Sequence, residues 1–216
     1  MSNNDNRKYI YTGNFTESRP EYDVVVSFVP LKSTVIDLGC GEGSLMQKLI
    51  TEKQCQCTGI EIAASGVEIC KQKGLQVLQG EIDTTLPFED NAFETALCNV
   101  TLQMVMYPEE TVKEMKRVAS KKIIVSFPNF AYWLNRIEML FKGRMPKKLL
   151  FGYSWYTTGH IHQFSLTDIR SLVNETGGMK IKKIKCAPSG NPIVDLFAGW
   201  MPNLFGKTIV LEIDKI

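Results

Sequence analysis

Three glycines alternate at positions 39, 41 and 43, directly behind the apolar run Val35-Ile36-Asp37-Leu38, and a helical pattern begins at Ser44. A strand-sized run that must turn straight into a helix leaves the chain few folds to adopt. Glycine permits the positive φ and the close backbone approach that such a turn demands. The amides at the helix start then face a crevice at the carboxyl end of the strand, where open α/β sheets bind ligands.

The rest of the first half supports that reading. Short β-branched runs recur at Thr34 to Leu38, Cys57 to Glu61, Gln76 to Gln79, Phe93 to Asn99 and Lys122 to Phe127. Helical patterns lie between them: Leu45, Met46, Leu49 and Ile50 share one face, and Val67, Ile69 and Cys70 mark another before Gly74. Pro108 with Glu109 and Glu110 opens a further helix, since proline has no amide to lose at a first turn and acids suit its positive end. Such alternation requires right-handed crossovers and predicts a doubly wound, Rossmann-like α/β domain with a mostly parallel sheet and helices on both faces. Met179 to Cys186 and Thr208 to Ile213 read as closing strands, giving about seven. Lys180, Lys182, Lys183 and Lys185 on the first of these suit a sheet edge better than a ligand.

With 216 residues, 44% of them apolar, one domain over 1–216 is expected. Residues 1–18 form a polar N-terminal extension. About 130–163 is aromatic and basic and reads as a helix followed by a long loop, a lid or an acceptor-side insertion. A Ser165-Leu166-Thr167-Asp168 capping signal restores order, and Gly177-Gly178 ends the helix it starts. Twenty-five basic against 23 acidic residues leave a net charge of +2, too balanced for a nucleic-acid footprint. No run approaches the roughly 18 apolar residues of a membrane span. The six cysteines are scattered without a Cys-x-x-Cys pair, which points to a reducing, cytoplasmic setting and to no metal site.

Glu61 stands 22 residues after Gly39, at the end of the second strand, where a carboxylate can accept hydrogen bonds from a ribose diol. Position 44 is Ser rather than the last glycine of a Gly-x-Gly-x-x-Gly dinucleotide motif, so a pyrophosphate ligand is disfavoured. The Gly-x-Gly-x-Gly pattern instead resembles motif I of class I S-adenosylmethionine-dependent methyltransferases. That resemblance implies that Asp37 lies near the methionine moiety and that Gly39, Cys40, Gly41 and Gly43 pack near the amino-acid part and ribose. It places Glu61 and Ile62 beside the ribose and Glu81 and Ile82 beside the adenine, although Glu81 is one methylene longer than the usual aspartate. It also implies an antiparallel last strand. Asn99-Val100-Thr101-Leu102-Gln103, after the fourth strand, would face the transferred methyl group, with Asn99 bordering the cofactor. Cys40 is a small packing residue rather than a nucleophile, because no activating base is offered to it.

A closer resemblance comes from segments that occur together: Arg19-Pro20, Gln79-Gly80-Glu81-Ile82-Asp83, Ser126-Phe127-Pro128-Asn129-Phe130, Gly143-Arg144-Met145-Pro146, and Trp155-Tyr156 through Ile161-His162. These resemble the methionine biosynthesis protein MetW family over most of residues 19 to 176. The resemblance implies S-adenosylmethionine as cofactor, with S-adenosylhomocysteine as product or mimic. It also implies a role beside homoserine O-acyltransferase, as its support or regulator. The alternative is an active methyltransferase with an unidentified small acceptor. Missing base chemistry does not decide between them, since a sulfonium methyl donor is already activated and needs chiefly in-line positioning.

His160 and His162 are the only histidines and have no nearby cysteine or acid to complete a zinc set. His162 falls within the family-matching segment and is the candidate catalytic base if the protein is an enzyme. Phe127, Phe130, Tyr132, Trp133, Trp155 and Tyr156 could line an acceptor pocket or simply pack. Arg136, Arg144, Lys147 and Lys148 form a basic cluster beside them. The apolar stretch from Ile193 to Phe205, broken by Gly199 and Pro202, is the first place to seek a protein interface if it is exposed.

Overall fold

The computed structural model describes residues 10, 11, 19–146, 155 and 158–216. Most of the N-terminal extension, together with Lys147, Lys148 and Tyr156 of the expected lid, lies outside the described residues.

The chain forms α1 (Tyr22–Phe28), β1 (Thr34–Leu38), α2 (Ser44–Lys53), β2 (Gln56–Glu61), α3 (Ala64–Gln72), β3 (Gln76–Gln79) and β4 (Phe93–Asn99). A 3-10 turn, Leu102–Met104, leads to α4 (Pro108–Val118), β5 (Ala119–Pro128), α5 (Trp133–Lys142) and α6 (Leu166–Thr176). The chain closes with β6 (Met179–Cys186), α7 (Pro192–Trp200), α8 (Pro202–Phe205) and β7 (Thr208–Lys215). Seven strands make one sheet in the order β3-β2-β1-β4-β5-β7-β6. β1 to β5 pair in parallel, while β7 runs antiparallel to both β5 and β6. This is the Rossmann-like sheet that the sequence predicts.

Alternate residues of the central strands supply two cores, because successive side chains leave a strand on opposite faces. Ile36, Leu38 and Ile123 join Val112, Met115, Ile169 and Val173 of α4 and α6 on one face. Val35, Leu97, Ile124 and Val210 join Val25, Leu45, Met46 and Leu49 of α1 and α2 on the other. β1 is accordingly buried on both faces after Thr34, as a central parallel strand must be.

β6 is one of the two edge strands, and its lysines guard it as expected. Lys182 pairs with Asp214 and Lys183 with Glu212, while Lys183 and Lys185 lie over the Phe28 ring. Charges along an exposed edge discourage pairing with another chain. The α6 capping box is complete: Ser165 Oγ accepts from Asp168 N, and Asp168 Oδ2 accepts from Ser165 N at 2.8 Å. Ser165→Ala is expected to lower stability by about 1 kcal/mol, measurable by urea denaturation, and an unchanged midpoint would show the box to be redundant.

Candidate functional site

The sheet reverses its order at β1, whose neighbours are β2 and β4, so the crevice opens above the carboxyl end of β1. The turn there has Gly39, Gly41 and Gly43 at φ of +78°, +60° and +77°. Gly39 N and Cys40 N both donate to Ile60 O, which ties the turn to β2. A Cβ on Gly39 would lie 2.4 Å from Thr101 Cγ2, so the loop after β4 closes directly on the glycine turn. Cys40 is buried, and its thiol fills the space left by the absent side chain of Gly59. A hydrogen bond with Cys70, together with burial, raises its pKa, which leaves no thiolate for nucleophilic chemistry.

Glu61 accepts from Gly41 N at 2.8 Å through Oε2 and from Ala63 N at 2.9 Å through Oε1. Its spacing predicts a ribose acceptor; in the fold the carboxylate braces the glycine turn. Asp37 is 1% exposed, and its Oδ1 has no hydrogen-bond partner. Burial, then the neighbouring Glu61 charge, pushes its pKa up to about 7. Glu42, buried as well, accepts from Ser44 Oγ through Oε1, while Oε2 has no partner. Three carboxylates thus converge on one turn, two of them with an unsatisfied oxygen. A ligand bearing positive charge and hydrogen-bond donors suits such a site.

The other predicted residues lie on the neighbouring elements. Ile62 follows β2 and is 40% exposed, whereas Ile82, expected beside the adenine, is 6% exposed and packed in the core. Asp83 Oδ2 accepts from Met106 N and Tyr107 N, so it shapes the entry to α4. Asn99 ends β4 with its Oδ1 held by Ser126 Oγ at 2.6 Å. Val100 adopts φ +51°, a conformation costly for a β-branched residue, and its amide donates to Ser126. His162 lies beside the 3-10 turn: its amide donates to Gln103 O, and Nε2 is 3.2 Å from Met106 O. Gln103 Oε1, in that turn, is buried without a partner, as are Trp133 Nε1 and Asn135 Oδ1 of α5.

Two residues of this region escape the sequence reading. Glu42 carries a local signal, as the acid between two turn glycines. Tyr11 carries no local signal. Its amide donates to Ser65 Oγ, and its side chain lies where side chains on Gly41 and Gly66 would stand, with the hydroxyl at 3.3 Å and the ring at 3.1 Å.

Comparison with known proteins decides the family. The model for "Methionine biosynthesis protein MetW" matches residues 19–213. The chain belongs to the MetW family. A curated relative, the "Bifunctional methionine biosynthesis protein MetXA/MetW" of Rhodopirellula baltica, is 30% identical over 161 residues, covering 70% of this chain. This MetW chain spans only 26% of that relative. Among solved structures, a possible histamine N-methyltransferase of Thermotoga maritima superposes with TM-score 0.64 at 20% identity, covering 91% of this chain and 88% of its own. Magnesium protoporphyrin IX methyltransferase of Synechocystis PCC 6803, crystallised with S-adenosylhomocysteine, gives TM-score 0.64 at 19% identity and covers 90% and 82%. At such identities these structures establish the class I methyltransferase fold and nothing about acceptor chemistry.

Proposed function

We propose that this MetW chain binds S-adenosylmethionine and supports or regulates homoserine O-acyltransferase in methionine biosynthesis. The observation that carries the reading is the relative in which a MetXA part and a MetW part share one polypeptide. Covalent linkage holds two proteins at high effective concentration. The cytoplasm is the setting that fits this work.

The crevice supports the ligand half of the reading. When bound, S-adenosylmethionine would bring a sulfonium, an ammonium and a ribose diol. Asp37 and Glu42 offer unsatisfied buried carboxylate oxygens to cationic and donor groups. Glu61 has lone pairs left for hydroxyls beside its two amides, and the glycine turn permits close approach. Ile62, Glu81 and Asn99 would complete the walls.

The decisive experiment assays the acyltransferase with and without this protein, each with and without S-adenosylmethionine. A rate that changes on adding the protein, and changes again with the cofactor, is the expected result; identical rates in all four mixtures would eliminate the regulatory role. The strained Val100 and the unpartnered Gln103 Oε1 favour methyl transfer as a second reading, since strain gathers at functional sites. In that case His162 would be the base, and S-adenosylhomocysteine would accumulate with a suitable acceptor.

Cofactor binding should also depend on pH. Asp37 holds its proton up to about pH 7 in the free protein, and a cation beside it favours the ionised form. Binding then releases a proton, so affinity rises with pH towards 7 and levels off above it. For the free protein the same group acts oppositely, because unfolding releases that proton and stability from this source declines between pH 3.8 and about 7. Calorimetry in buffers of different ionisation enthalpy would reveal the released proton at pH 6, and Asp37→Asn should abolish it.

A further inference from the structure

Helix α7 wears its apolar stripe on the outside. Ile193, Leu196, Phe197 and Trp200 follow the i, i+3, i+4, i+7 spacing that defines one helical face. They are 66%, 75%, 41% and 78% exposed, while the helix buries Ala198. Fraying does not account for this, because the helix is fixed at both ends. Asn191 Oδ1 caps it by accepting from Ile193 N and Val194 N, and the Phe197 ring packs on Phe205 at 5.3 Å. Beside the stripe runs a cleft of about 400 Å³ whose lining includes Trp200, Met201, Leu204 and Leu166, with Arg136 and Arg170 at its border. Arg136 hydrogen-bonds main-chain carbonyls of Ala131 and Asn203, and among the described residues neither arginine pairs with a carboxylate.

We infer that this face, the α7 stripe with its arginine-bordered cleft, is the surface that docks homoserine O-acyltransferase. The identity of the occupant rests on the function proposed above. The relative in which a MetXA part and a MetW part share one polypeptide favours that enzyme over a second copy of this chain, and two arginines without a carboxylate partner among the described residues call for acids on the docking surface. The face therefore fits an apolar surface bordered by carboxylates on a different protein, with Trp200 as the aromatic anchor and an arginine at the rim.

The test mixes the full-length chain with purified homoserine O-acyltransferase from the same organism and follows the complex by calorimetry and light scattering. Leu196→Glu, Trp200→Glu and Arg170→Glu should each weaken the complex at least about tenfold. Leu31→Glu, equally exposed but remote in sequence and fold, should not. Retained S-adenosylhomocysteine binding in every variant shows that the fold survives. If the wild type binds and the α7 variants bind equally well, the face is misassigned while the function stands. If the wild type does not bind at all, both fall. Self-association or attachment to anionic lipid vesicles that Trp200→Glu abolishes would overturn the inference in favour of another occupant.

Discussion

Titration of the Glu61→Ala protein with S-adenosylhomocysteine should return an affinity at least about tenfold weaker than that of the wild type, with a lower melting temperature even without ligand. Both effects follow from one carboxylate. Its removal strips two partly buried backbone donors, Gly41 N and Ala63 N, of their charged acceptor, and a donor left unpaired away from water costs up to about 1–3 kcal/mol. The same change takes the proposed ribose acceptor from the pocket, and each 1.4 kcal/mol lost there is about tenfold in affinity. Glu61→Gln separates the roles. Its amide oxygen can still serve one of the two N–H groups, so free-protein stability should largely return. With the Glu61 charge gone, the Asp37 pKa should fall, and the pH at which binding levels off should move down with it. A Glu61→Ala protein with wild-type affinity would remove Glu61 from the site, and one with wild-type melting would deny its bracing role.

Gly39→Ala should lower the melting temperature by about 10 °C. At φ +78° an alanine sits in the left-handed region at a cost of about 1–2 kcal/mol, and its Cβ would stand 2.4 Å from Thr101 Cγ2 and 2.8 Å from Thr101 Oγ1. Thr101 cannot swing away freely, because its hydroxyl donates to Asn99 O at 3.0 Å. Overpacking of this kind adds about 1–3 kcal/mol, and a chain of this size loses roughly 2–4 °C per kcal/mol. The double variant Gly39→Ala/Thr101→Ala relieves the clash but not the backbone strain, so it should recover part of the loss. Full recovery would mean that the turn tolerates a side chain and that only the contact matters. No loss in the single variant would mean that the turn relaxes.

Most of this fold was legible because period and punctuation survive in one dimension. β1, β3, β4 and β6 fall where the β-branched runs predict them, and α6 starts at its capping box. β5 and β7 extend further than the apolar runs, since Ala119 and Lys215 continue ladders that neighbouring strands already hold. α1 went unread: seven residues, Tyr22–Phe28, are too few for a periodic signal and are helical because Val25, Val26 and Phe28 pack on the sheet.

The site divides in the same way. Glycine spacing and an acid at a fixed distance are local facts that point to the turn after β1 and to Glu61, whereas the role of Asp37 comes from the resemblance to motif I. What Glu61 binds within the chain, that Thr101 closes on Gly39, that Tyr11 rests on the turn, and that Asp37 is left unpaired at a pKa near 7 depend on residues distant in sequence meeting in a low-dielectric interior. The apolar stripe of α7 makes the same point from the surface. Its spacing is written in the sequence, but which way it faces was decided by the cap at Asn191 and the sheet behind Ala198. Periodicity tells a helix that it has an apolar face; only packing tells that face whether to turn inward.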